Sequence, residues 1–112
     1  MNTATRLSRP WTVILLFIVA LVPAHAQTIS GVGSQSCGSF KAAYESNDAV
    51  AVDSYVAWAQ GFVSGHNRAR DGARDAAIDA GSLIHSVLIY CNEDENARFY
   101  EAVGQVIDNL TR

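Results

Sequence analysis

The chain has 112 residues and carries 11 Asp and Glu against 8 Lys and Arg, for a formal charge of −3. That length holds one small core, and the acidic balance lacks the basic face that a phosphate backbone demands. Nucleic acid is therefore not expected as a partner.

Residues 1–26 read as a cleaved secretory signal peptide. Arg6 and Arg9 precede an apolar run of ten residues, Val13 to Val22, and Pro23 leads into the small-residue frame Ala24-His25-Ala26. Basic, apolar and small residues in that order favour export with cleavage after Ala26; an uncleaved N-terminal anchor is the weaker alternative. The run is too short to span a bilayer, which takes about 20 apolar residues, so no membrane association is expected after cleavage. Residues 27–112 keep six basic side chains (Lys41, Arg68, Arg70, Arg74, Arg98 and Arg112) and all eleven acids, a formal charge of −5. Such a composition suits a soluble periplasmic domain.

An 86-residue domain lies near the lower limit for stability from a core alone. Cys37 and Cys91 are the only cysteines, and an even pair in an exported chain reads as a disulfide. In the loop-entropy picture a bridge closing about 55 residues contributes roughly 4 kcal/mol. Neither CxxC spacing nor a reducing compartment supports a catalytic or metal-binding thiol pair.

Residues 27–36, QTISGVGSQS, are rich in Gly and Ser without an apolar period, which predicts a flexible leader to a helical domain at 37–112. The spacing then predicts four helices with no strand and no internal repeat: an all-α, disulfide-stapled bundle. The first places Phe40, Ala43 and Tyr44 at i, i+3 and i+4 after Ser39 as N-cap, and the polar stretch 45–48 ends it. The second runs from about Asp53 to Asn67 with Tyr55, Trp58, Ala59, Phe62 and Val63 on one stripe. Gly61 and Gly65 each cost that helix about 1 kcal/mol relative to Ala, which points to something packed closely against their face. In the connection, Arg68, Arg70 and Arg74 alternate with Asp71, Asp75 and Asp79 as a solvated, self-paired face broken at Gly72. The third helix spans about Ala80 to Tyr90, buries Leu83, Ile84, Val87 and Leu88, and delivers Cys91 at its end. The fourth takes Asn92 as N-cap with Glu95 as its box partner and buries Phe99, Val103, Val106, Ile107 and Leu110.

The order SCGSF, WAQGFVSGHN, a polar Asp-containing linker, SLIHSVLIYC and a final amphipathic helix resembles the HdeA-type family of small periplasmic helical proteins, from about Ser36 to Leu110. In size, compartment and disulfide logic the chain is also similar to small immunity proteins that neutralise secreted cell-wall amidases. The HdeA-type resemblance implies a four-helix fold with one disulfide, here Cys37 to Cys91. It also implies a homodimer at neutral pH that opens in acid to hold unfolding client proteins. HdeA-type chains are rich in lysine toward their ends, whereas Lys41 is the only lysine here.

No residue pattern points to an enzyme. Ser64, His66 and Asp71 are the residue types of a hydrolytic triad, but i and i+2 lie on different helix faces and no glycine-flanked nucleophile elbow occurs. His66 and His85, with Asp71, Asp75 or Asp79, lack HxxxH or HExxH spacing, and no EF-hand pattern is present. Neither metal nor cofactor is expected. Asn109-Leu110-Thr111 matches a glycosylation triplet, but in a terminal helix whose Leu110 is expected to be buried.

Tyr55, Trp58 and Phe62 read first as core. With Gly61 and Gly65 beside them they are also the candidate contact residues for a close helix-helix interface, between subunits or with another protein. The expected function is thus non-enzymatic protein contact, as an acid-stress or holding protein. Protonating the carboxylates, with His66 and His85 charged, would carry the domain from −5 to about +8. The alternative is an immunity-type protein whose acidic surface plugs the basic cleft of a secreted effector enzyme. Cleavage at the expected site gives an exported protein that begins at Gln27, a result that intact-mass measurement reads directly; recovery of peptides containing Arg6 would reject it.

Overall fold

The computed structural model describes residues 28–70 and 74–112. The expected signal peptide, with Asp71 and Gly72 of the expected connection, lies outside the described residues. Four α-helices follow a 3-10 helix at Gly31–Ser34: α1 Cys37–Glu45, α2 Ala49–Ala69, α3 Ala80–Glu93 and α4 Phe99–Leu110. Among the described residues there is no strand, and pairing is limited to an isolated bridge between Ser36 and Arg98. The architecture is an all-α four-helix bundle closed by a Cys37–Cys91 disulfide.

The helix starts differ from the sequence expectation in an instructive way. α1 is capped by Ser36, whose Oγ accepts from the Ser39 N–H at 3.1 Å, so Ser39 receives the cap instead of making it. Two orphan donors of this first turn go to the α3–α4 loop, Cys37 N–H to Ala97 O at 2.7 Å and Gly38 N–H to Glu95 O at 2.9 Å. Asn47, at φ 57°, ends α1 in the left-handed region that Asn tolerates. The polar stretch before Asp53 contains the next cap rather than only a stop. Asp48 Oδ1 accepts from Ala51 N–H at 3.1 Å, and Ala49–Val52 join α2. α3 runs past Cys91 to Glu93, which takes Asn92 into its last turn. α4 therefore starts later than expected, at Phe99, where the Glu101 Oε2 accepts from Arg98 N–H at 2.8 Å and Phe99 N–H donates to Gln35 O at 2.8 Å.

The core gathers on the disulfide. Cys37 and Cys91 are fully buried among Phe40, Val87, Phe99, Val103 and Ile107. Phe40, Tyr55 and Phe99 join α1, α2 and α4 through ring centroids 4.8 to 5.1 Å apart, a spacing at which tilted aromatic pairs are attractive. Leu83, Ile84 and Val87 of α3 are buried as expected, while Leu88 and Leu110 are half-buried.

The segment expected to be a flexible leader packs instead. Trp58 Nε1 donates to Ser30 O at 2.8 Å, and Gly33 is buried against the same ring. Among the described residues, Arg68, Arg70 and Arg74 form no salt bridge with Asp75 or Asp79, the self-pairing expected of the connection. Asp79 caps α3, Arg74 donates to Arg112 O, and the salt bridges among the described residues both involve Lys41. What pins the connection is Asn67, whose amide donates to Ala76 O at 2.9 Å and accepts from Ala76 N–H at 2.8 Å.

The bridge closes a loop across a separation of 54 residues. Replacing Cys37 and Cys91 together with Ala is expected to lower the unfolding free energy by about 4 kcal/mol, read as a fall in the urea midpoint. An unchanged midpoint would mean that packing alone closes the bundle.

Candidate functional site

The structure divides the five contact candidates of α2 into three groups. Tyr55 is core at 6% exposure, and burial pushes its phenol above the ordinary pKa. Trp58 and Phe62 are half-buried and stacked on each other, centroids 5.0 Å apart with 20° between planes, and Trp58 presents an edge to Phe99. Gly61 and Gly65 are exposed, and a Cβ at either would meet no atom within 4 Å. The close approach expected at these two glycines is therefore not made among the described residues. It occurs at Gly33, where a Cβ would overlap the Trp58 ring. Sequence reasoning passed over Gly33 because it lies in a segment without apolar period; its partner is 25 residues away in the chain and only packing brings them together.

Of the triad residue types, Asp71 lies outside the described residues. Ser64 is exposed, and His66 Nε2 faces the Arg70 guanidinium at 3.3 Å, four residues on. His85 is exposed on α3. Among the described residues no three His, Cys, Asp or Glu side chains converge on a metal position, and no helix is long and apolar enough to cross a membrane.

Two surface hollows combine stripe residues with apolar side chains outside the stripes, among them Ile78, Ile89 and Val52. Between α3 and α4, a groove of about 350 Å³ is lined by Ile78, Ile89, Tyr90, Val106 and Leu110, with Ile89 half exposed. The Asn109 amide donates to the Tyr90 hydroxyl across this groove. At the corner between α1 and α2, a hollow of about 460 Å³ is lined by Tyr44, Asn47, Ala49, Val52 and Asp53. Val50 stands beside it at 79% exposure.

No protein-family model, curated protein or solved structure matches this chain. Its surfaces are read from their own chemistry. The charged contacts concentrate at joints: Lys41 Nζ lies 2.6 Å from Glu95 Oε1 and 3.9 Å from Glu45 Oε1, and its hydrogen bond with Glu95 raises the ammonium pKa. Asp79 accepts from the Ser82 N–H at 2.9 Å and the Ser82 hydroxyl at 2.7 Å, which lowers its carboxyl pKa.

Glycine substitutions separate the two kinds of site. Gly33→Ala is expected to cost about 1–3 kcal/mol, because the Trp58 ring must move. Gly61→Ala and Gly65→Ala are expected to leave stability unchanged or raise it by up to about 1 kcal/mol each. Denaturant titration measures both, and a large loss at Gly61 would reveal close packing by another subunit.

Proposed function

We propose that this chain is a non-enzymatic periplasmic protein that acts by protein contact, as an acid-responsive holding protein of the HdeA type. The observation that carries the reading is where its carboxylates sit. Asp48 starts α2, Asp79 starts α3, Glu101 closes the start of α4, and Glu95 ties the α3–α4 loop to Lys41 of α1. Each helix start after α1 thus has an acid in its capping hydrogen bonds, and among the described residues the core contains no buried charge.

Acidification leaves the domain at about +8 in place of −5, and at Asp79 it also removes a charge that the start of α3 favours. Asp79 gives the sign. Its folded pKa lies below the ordinary 3.8, so its contribution is complete above that value and is lost as pH falls through the lowered one. Lys41 acts at the other end: its raised pKa gives a contribution present below 10.5 and lost as pH rises through the folded value. The disulfide survives acid and keeps α1 attached to α3 while the joints loosen. A loosened bundle offers the apolar side chains of its core to unfolding clients, and its positive charge keeps the complex dispersed.

The immunity-type reading has one observation in its favour, the apolar hollow at the α1–α2 corner beside Glu45, Asp48 and Asp53, which suits a basic partner at neutral pH.

Asp79→Asn keeps an oxygen for the Ser82 N–H but removes the proton-linked charge. Its urea midpoint is expected to fall less steeply than that of the parent between pH 4 and pH 2. The functional test is light scattering of an acid-denatured client at pH 2–3. Suppression by the parent at neutral-inactive concentrations supports holding; a domain that stays folded, monomeric and without effect rejects it.

A further inference from the structure

The α1–α2 corner combines exposed apolar side chains, a hollow and a run of acids. Val50 is 79% exposed and Tyr44 is 41% exposed, and together with Ile89 they are the large apolar residues that remain open to solvent among those described. The hollow beside them, about 460 Å³, is large enough for one or two side chains and is walled by Tyr44, Ala49 and Val52. The segment Tyr44 to Ser54 brings Glu45, Asp48 and Asp53 and contains no Lys, Arg or His. Asp53 itself lines the hollow, and Asp48 uses Oδ1 for its cap.

We propose that this corner docks a segment of a partner protein that presents an apolar side chain flanked by Lys or Arg. The apolar side chain fills the hollow against Tyr44 and Val52. Its basic neighbours meet Asp53, which lines the hollow, and Asp48, which lies between the lining residues Asn47 and Ala49, while Glu45 is shared with Lys41; opposite charge there fixes orientation and speeds encounter. The domain's charge of −5 acts in the same direction, and it repels anionic lipid headgroups, which disfavours a membrane as the occupant. Asn47 serves the site by its backbone: at φ 57° it turns the chain between Tyr44 and Ala49, so both line one hollow.

The inference rests on the protein-contact reading and makes it specific to neutral pH, where the carboxylates are ionised. Its test is a titration of the intact, nitrogen-15-labelled chain at pH 7 with two hexapeptides. Both carry Leu-Phe at the centre; one is flanked by lysines and the other by glutamates. The lysine peptide is expected to shift backbone amides from Tyr44 to Ser54, with binding at least tenfold tighter than the glutamate peptide and weakened by salt. Asp53→Lys and Val50→Asp lie on exposed or rim surface and are each expected to reduce that affinity about tenfold, with helical circular dichroism unchanged. Equal binding of both peptides, shifts confined to the α3–α4 groove, or no shifts at millimolar peptide would overturn the proposal. None of these outcomes affects client suppression at pH 2–3, so failure of the docking site and failure of the holding reading are read by different experiments.

Discussion

The Cys37–Cys91 bridge sits where the bundle would otherwise have least to hold it. α1 is a nine-residue helix, too short to persist alone, and the disulfide enters at its first residue. From that residue the backbone also reaches the α3–α4 loop, since Cys37 and Gly38 donate their N–H groups to Ala97 and Glu95. One side chain and two amides thus fix α1 against α3 and against the approach to α4. The aromatic cluster of Phe40, Tyr55 and Phe99 is assembled on that frame, because Phe40 lies one helical turn beyond the bridge.

The molecule sets an apolar core apart from the exposed acids at its helix starts. The buried residues are all apolar, so proton uptake has no direct route into the interior. The caps and the Lys41–Glu95 pair are exposed and individually weak, as surface ion pairs in water are. Their consequence comes from position: each sits where a helix begins or where a loop meets a helix. Because the disulfide is indifferent to pH, loosening under acid would leave the chain crosslinked and able to reclose in the same register.

The exposed glycines and the buried one carry opposite lessons about sequence reading. Gly61 and Gly65 on a helix suggested close packing by their cost in propensity, yet their face is open among the described residues. Gly33 sits in a segment without helical period, where glycine needs no explanation, yet it is the position that admits no side chain. Propensity reports what a residue costs its own helix; it carries no information about which distant ring will lie against it. The same limit applies to Trp58, whose stripe position was evident while its indole partner, Ser30 O, lies 28 residues earlier.

The sequence by itself determined the helix count, the pairing of the only two cysteines and most of the buried stripes. These depend on periodicity and on compartment logic that one chain carries locally. Leu83, Ile84, Val87, Phe99, Val103, Val106 and Ile107 were legible for that reason. Helix starts were less legible, because Ser36 and Ser39, or Asn92 and Arg98, compete as caps, and the choice depends on which carbonyl elsewhere accepts the remaining donors. Only the tertiary structure decided that the Gly-Ser segment before Cys37 folds over Trp58, that Asn67 clamps Ala76, and that Glu95 leaves helix capping to pair with Lys41. Each of these is a contact between residues with no periodic relation, created when the bridge and the aromatic cluster bring their elements together.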